Sequence, residues 1–330
     1  MQSVVAVTGA SGFIGQAVCK ELLIRGFTVR ALVRYIKPMQ QTLSVGLQYV
    51  AVGDLCADTD WSEALRGVSC VIHCAGRAHV MRGIDGEESM TFYRAVNVES
   101  TKRLAEQAAL CGVRRLVFLS SIKVNGECTF PHKRDIPLDG KPEIFKASDY
   151  PAPISPYAQS KWEAEQALYA VSSQTQMEVV ILRPPLVYGH GVKANFASLL
   201  IAVKQGWPLP LGAVQNRRSL VALDNLVDLI VKCIKHPKAA NQTFLVSDGQ
   251  DLSTKEIVQF MALAAGVSPR FLPVPFWVLQ LGASLLGKRD ALQRLCGNLQ
   301  IDICKTSSLL GWVPPVSVEE GMRRCLTLKN

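Results

Sequence analysis

The β-branched run SVVAV (3–7) stops at TGASGFIG (8–15), and the helical spacing of QAVCKELLIRG (16–26) follows at once. A strand that ends in a glycine-rich turn and feeds directly into a helix is the opening half of a parallel β–α–β unit. Gly9, Gly12 and Gly15 let the backbone come close to a pyrophosphate, whose charge the N-terminus of the following helix favours. With Phe13 and Ile14 between the last two glycines, the whole segment is expected to face a dinucleotide. The spacing is G-x-x-G-x-x-G rather than the commoner G-x-G-x-x-G.

The same rhythm continues. VVAVTGA, TVRALVR, LQYVAVGD, CVIHCAG, RLVFLSS and VVILRPP read as strands, and QAVCKELLIRG, SEALRG, NVESTKRLAEQAALCG and YAQSKWEAEQALYAVSS read as helices between them. Strand and helix in alternation predict an α/β, doubly wound parallel sheet covered on both faces, with ligands at the carboxyl ends of the strands. The chain, at 330 residues, is too long for one small core. After residue 185 the elements shorten and Gly and Pro multiply (VYGHGVKANF, GWPLPLG, RFLPVPFW). That break divides a dinucleotide-binding part, 1–185, from a smaller substrate-binding α/β part, 186–330, with some segments interleaved. The Pro-rich stretch 125–156 is a long loop before the helix that begins near Tyr157.

Other classes of function find little support. The net charge of +9 suits an anionic partner, but there is no five-residue basic run and no aromatic–basic interleaving, which points to a phosphate-bearing small molecule rather than nucleic acid. PFWVLQLGASLLG (275–287) is too short to span a bilayer. It reads first as an amphipathic helix buried against the body; Lys288 and Arg289 at its end make contact with a membrane surface the alternative. The opening strand leaves no room for a signal peptide, so a cytoplasmic protein is expected. Ten scattered cysteines read as core thiols, and in CVIHC a strand would turn Cys70 and Cys74 away from a shared metal ion.

At the end of the second strand an NAD site usually shows an acid that binds the ribose hydroxyls; here the chain has Val33-Arg34, with Arg30 and Lys37 nearby. A cation there suits a 2′-phosphate, so NADP(H) is expected ahead of NAD(H). Asp54, with Leu55 after it in VGDL, is placed to meet the adenine.

SPYAQSK (155–161) sets Tyr157 and Lys161 on one helix face, four residues apart. A free phenol has a pKa near 10; lowering it by about 3 units takes roughly 4 kcal/mol, for which a nearby ammonium and a cationic nicotinamide are suitable sources. Ser121, in FLSSIKVNG, supplies a hydroxyl for the substrate oxygen. TGASGFIG, GDL, HCAGRA, NVEST, FLSSIKVNG, YAQSK and LRPPLVYG, taken in that order along nearly the whole chain, resemble the extended short-chain dehydrogenase/reductase family of NAD-dependent epimerase/dehydratase type. The resemblance implies that Ser121, Tyr157 and Lys161 are catalytic and that Lys161 also holds the nicotinamide ribose. It further implies that Asn97 supports the site, that Ala75 and Gly76 line the cofactor cleft, and that the protein forms a homodimer through helices that include the tyrosine helix.

The second half resembles the branch of that family acting on nucleotide-linked sugars, such as UDP-sugar 4-epimerases. On that likeness Asn195 and Arg217 meet the substrate diphosphate, GWPLPLG (206–212) lies along the uracil, and Lys123 stands beside the sugar where many epimerases have Ser or Thr. SSIKVNGE is similar to enzymes of bacterial surface-polysaccharide synthesis, and with Arg34 it favours reduction of a UDP-4-keto-6-deoxy-N-acetylhexosamine. A UDP-sugar 4-epimerase with tightly held NAD is the alternative. Reduction of a hydrophobic ketone, and a dinucleotide-sensing or RNA-binding relative without catalysis, are the further readings.

Overall fold

The computed structural model describes residues 3–36, 45–78, 87–129, 144–192 and 194–326. Lys37 lies outside them. Strands β1 (Val4–Thr8), β2 (Thr28–Val33), β3 (Leu47–Ala51), β4 (Val68–His73), β5 (Arg115–Leu119) and β6 (Glu178–Arg183) form a parallel sheet at the expected places. Helices α1 (Phe13–Ile24), α2 (Ser62–Leu65), α3 (Glu87–Tyr93), α4 (Ser100–Leu110) and α5 (Pro156–Gln174) connect them. The remaining chain adds β7 (Leu186–Tyr188), α6 (Ala194–Lys204), β8 (Pro208–Leu209), β9 (Arg218–Ala222), α7 (Leu223–Lys235) and β10 (Gln242–Leu245). It ends with β11 (Asp251–Leu252), α8 (Thr254–Ala265), β12 (Arg270–Phe271), α9 (Phe276–Leu285), α10 (Arg289–Cys296), α11 (Cys304–Leu310) and α12 (Val318–Leu326).

The large sheet has seven strands in the order β10-β6-β5-β4-β1-β2-β3. Its direction of growth reverses between β1 and β4, which opens a crevice at the carboxyl ends of those two strands. The near-continuous apolar runs follow from burial on both faces. Val5 and Val7 of β1 enter one layer with α1 and α7; Ala6, between them, enters the other with α2, α4 and α5. Each fully buried Val, Leu or Phe of these layers contributes roughly 1.5–3 kcal/mol. Buried Arg115, at the start of β5, donates to the carbonyls of Cys233 (2.7 Å), Ile234 and His236 (3.0 Å each) and so closes the C-terminus of α7.

The smaller region is built on the sheet β11-β9-β7 and the pair β12-β8, with α6, α8 and α12 around Tyr188, Leu220, Val258 and Met322. A Ser253–Glu256 capping box starts α8, and Gly266 ends it in the left-handed conformation (φ 67°). The expected burial of the 275–287 segment is not observed. It does form a helix, α9, but only Ala283 in it is buried. Trp277, Leu281 and Leu285 recur every fourth residue on one stripe and are 66%, 55% and 80% exposed. Apolar periodicity marks a face; it does not say that another surface covers it. Among the described residues no helix is long and apolar enough to cross a membrane.

Candidate active site

The crevice between β1 and β4 opens into a cleft of about 810 Å³, lined among others by Gly9, Gly12, Arg34, Asp54, Ala75 and Gly76, with Leu55 beside Asp54. The three glycines of the first turn do different work. Gly9 has φ +63°, and a Cβ there would stand 2.9 Å from the backbone of Ala75. A Cβ on Gly15 would stand 2.2 Å from the Gly9 carbonyl oxygen, so this glycine lets α1 pack on the turn. Gly12 lines the cleft itself and starts α1 with no side-chain cap and no acid in the first turn. Bare backbone at a helix N-terminus beside a cleft of this size fits the pyrophosphate of a dinucleotide. Phe13 and Ile14 turn inward and pack on the sheet layer beneath.

At the adenosine end Arg34 and Asp54, each expected to meet the cofactor alone, meet each other: Nε to Oδ1 is 2.9 Å, with both side chains exposed. A 2′-phosphate at Arg34 would have to draw the guanidinium off Asp54 and sit beside that carboxylate. Arg30 is turned away and donates to the carbonyls of Ala64 (3.0 Å) and Arg66 (2.8 Å) at the end of α2.

Beneath the turn lies a residue that the sequence reading passed over. His73, fully buried at the end of β4, has Nδ1 2.6 Å from Thr8 Oγ1 and Nε2 2.9 Å from Thr101 Oγ1. Thr8 Oγ1 also accepts from the Ala75 N–H at 3.1 Å. Burial, with the charge of Lys161 behind it, pulls the imidazole down to about 3, so it is neutral and ties the glycine turn to the end of β4. The available signal was one histidine in an otherwise apolar strand.

Tyr157 and Lys161 project from the first turns of α5, which starts after Ser155 with Pro156 in its first turn. Burial pushes the Tyr157 phenol up to about 12, against a hydrogen bond from Ser121 that favours the phenolate. Ser121 caps the short 3₁₀ turn Ile122–Val124 and accepts from the Lys123 N–H at 3.3 Å. The Tyr93 ring meets Tyr157 edge-on at 5.9 Å. Lys161 is buried, with Nζ 4.0 Å from the Phe118 ring centre and 3.8 Å from where a Gly76 Cβ would stand. Burial pulls its ammonium down to about 7, opposed by the Glu165 carboxylate. The folded chain alone therefore holds the phenol protonated, and the expected lowering calls on a cationic nicotinamide as well as a nearby ammonium.

A second missed group holds this pair in place. Fully buried Glu165, one helical turn beyond Lys161, takes Nε (3.0 Å) and Nη2 (2.5 Å) of Arg183 and a short hydrogen bond from Ser120. Arg183 also donates to Asn125 at 2.9 Å, so one network joins α5, the ends of β5 and β6, and the turn after Ser121. Asn97 is buried too: it accepts from the Arg77 N–H (2.7 Å) and donates to the Arg77 carbonyl and Ser160 Oγ (3.0 Å each). It fixes the strand β4 exit against α5, with both of its amide hydrogens engaged.

The substrate half is more open. Lys123 directs its ammonium to Glu127 at 3.0 Å. Burial raises the Glu127 carboxyl, but the hydrogen bond and charge of Lys123 help to outweigh it and hold the group below the ordinary range. Asn195 is exposed at the start of α6. Arg217 is exposed and lies 3.5 Å from Glu256. Its neighbour Arg218, which the sequence reading left aside, is drawn further in: Nη1 donates to the Gly297 carbonyl at 2.7 Å, and burial lowers its pKa.

Residues 5–247 match the family described as "NAD dependent epimerase/dehydratase family". The chain belongs to that family. It is 47% identical over 326 residues to a UDP-glucose 4-epimerase of Vibrio cholerae, covering 98% of this chain and 94% of that protein. It is 25% identical to an N-acetyl-alpha-D-glucosaminyl-diphospho-ditrans,octacis-undecaprenol 4-epimerase of Escherichia coli O157:H7, with 99% and 95% covered. Among solved structures, a UDP-glucuronic acid 4-epimerase from Bacillus cereus in complex with NAD superimposes with a TM-score of 0.74 at 21% identity, covering 97% of this chain and 96% of that one, a likeness of fold. As a member of the epimerase/dehydratase family the protein is an enzyme of the extended short-chain dehydrogenase/reductase type.

Proposed function

We propose that the protein is a UDP-hexose 4-epimerase that keeps NAD bound through the reaction. The observation that carries this reading is the near-full-length likeness at 47% identity to the Vibrio cholerae enzyme of that name. The Arg34–Asp54 pair goes with this choice of dinucleotide: it engages the cation behind the NADP(H) preference, which together with SSIKVNGE had favoured a reductase. When bound, oxidised nicotinamide supplies a hydride acceptor and a positive charge.

On this reading Gly12 and the start of α1 hold the pyrophosphate, and Asp54 and Arg34 flank the adenosine. Lys161, beside Gly76, holds the nicotinamide ribose. Tyr157 Oη takes the proton of the sugar's C4 hydroxyl and later returns one to the same oxygen, so the chain's net proton count is unchanged over a cycle. Ser121 holds that oxygen and the phenol in one line. The phenol's high resting pKa means that Tyr157 becomes a base only when positive charge lies beside it. Asn195 and either Arg217 or Arg218 receive the substrate diphosphate, for which a guanidinium is well shaped. The division at residue 185 and a homodimer through helices that include α5 belong to the same reading.

The test is to denature freshly purified protein, identify the nucleotide released, and assay interconversion of UDP-glucose with UDP-galactose and of their N-acetylhexosamine counterparts. Near-stoichiometric NAD and an equilibrium mixture of C4 epimers are expected. Stoichiometric NADPH consumption with a UDP-4-keto-6-deoxy sugar, without epimerisation, would overturn the reading.

A further inference from the structure

The outward stripe of α9 lies on a stretch of surface with a distinct chemistry. Exposed Trp277, Leu281 and Leu285 continue into Phe276 at one end and Leu286 at the other, all exposed. Strand β12 leads through Pro273 and Pro275 directly into this helix, and its pairing with β8 sets Arg270 against Pro208. The register brings exposed Trp207 and Leu272 to the same short two-stranded layer. Apolar side chains gathered in this way mark a contact surface.

The charges beside them are mostly of one sign. From the start of α8 to the end of α10 the chain carries Lys255, Arg270, Lys288 and Arg289, with Arg294 facing Glu127, against Glu256 and Asp290, and Lys204 ends α6. Lys204, Lys255, Arg270, Lys288 and Arg289 are exposed. Two copies of this chain meeting through α9 would bring like charges together, which costs affinity. An anionic bilayer surface matches both halves of the pattern: apolar side chains and tryptophans enter the headgroup boundary while Lys and Arg meet phosphate. With 10 residues α9 is about 15 Å long, enough to lie in an interface and far too short to cross one.

We propose that the α9 face is a docking surface for anionic phospholipid, with Trp277, Leu281 and Leu285 entering the boundary and Lys288 and Arg289 holding headgroups. The contact reaches the substrate half of the cleft. The carbonyls of Leu295 and Gly297, at the end of α10, accept from Asn216 (3.3 and 3.1 Å), and Gly297 also accepts from Arg218 (2.7 Å). Docking therefore turns this side of the enzyme towards the membrane.

The experiment is co-sedimentation of the full chain with vesicles of phosphatidylcholine containing about one third phosphatidylglycerol, alongside vesicles of phosphatidylcholine alone. The wild-type protein is expected to partition onto the anionic vesicles, less so as salt rises. W277S/L281Q/L285Q and, separately, K288E/R289E are expected to lower partitioning at least tenfold; each cation near such a surface is worth about fivefold. Both variants keep turnover of a soluble UDP-hexose and the far-ultraviolet dichroism of the wild type. Equal binding to neutral vesicles, no binding to anionic ones, or undiminished binding by both variants overturns the proposal. Loss of a wild-type dimer in the triple variant, seen by light scattering without any vesicle binding, would assign the face to a second copy instead. None of these outcomes depends on which sugar the enzyme turns over.

Discussion

Around the nicotinamide end of the cleft the polar side chains already satisfy one another, whereas around the substrate end they stand open with weak partners. His73 is held between Thr8 and Thr101, Asn97 between Arg77 and Ser160, and Glu165 between Arg183 and Ser120, all out of water. Arg217 reaches Glu256 only at 3.5 Å in solvent, and Lys123 and Glu127 form one partly exposed pair. Closed buried networks fix geometry before anything binds and are costly to open. Exposed pairs are worth about 1 kcal/mol or less and exchange partners readily. On the proposed reading, the contrast teaches that the chemistry is rigidly specified and the substrate is chosen by groups free to re-pair.

The first way to break that contrast is at the reacting atom. Tyr157→Phe removes the only hydroxyl on that ring and should lower kcat about 10²–10⁴-fold, with the melting temperature and nucleotide content unchanged. Glu165→Gln leaves Arg183 buried without its carboxylate and should cost about 3–5 kcal/mol in urea denaturation. A cost below about 1 kcal/mol would show that the network is not the rigid frame described. At the other end, Arg217→Ala should raise KM for a UDP-hexose about tenfold with little loss of stability. If Arg218→Ala raises KM and Arg217→Ala does not, the partly buried arginine is the diphosphate ligand.

The effect smallest at neutral pH sharpens the comparison under acid. The His73 imidazole sits near 3 when folded against an ordinary 6.5. Between those values the unfolded chain binds a proton that the folded chain refuses, so stability falls as pH drops through that window. The slope is about 1.4 kcal/mol per pH unit for one site. His73→Gln should flatten this part of the stability profile while leaving turnover at neutral pH close to wild type. An unchanged acid profile would mean that His73 is not the neutral hub of the turn.

The strands and helices up to β6 are legible in the sequence because burial on both faces, glycine turns and helical spacing all state the same thing locally. The Ser121, Tyr157 and Lys161 set is legible for a different reason, since each stands at a strand end or on a helix start that the pattern already fixed. Glu165 and Arg183 escaped because an acid on an amphipathic helix and an arginine after a strand look like solvated ends until the fold brings them together. The outward stripe of α9 escaped because spacing reveals a face and not its cover. The phenol's raised pKa follows from burial, which the three residues of that set do not display by themselves. Strand β10 was equally hidden, since its partner β6 lies some sixty residues earlier in the chain.

That last pairing has a consequence for how the protein is made. When the ribosome has released β6, that strand is still the unpaired rim of the sheet, and the face that α7 will cover still shows Val117 of β5. About 60 more residues must emerge before β10 arrives, several seconds at about 5–20 residues per second. Through that interval the nascent sheet carries an open, apolar edge of the kind that recruits other chains. A gene cut after the sixth strand is thus expected to encode an aggregating chain rather than a smaller nucleotide-binding protein.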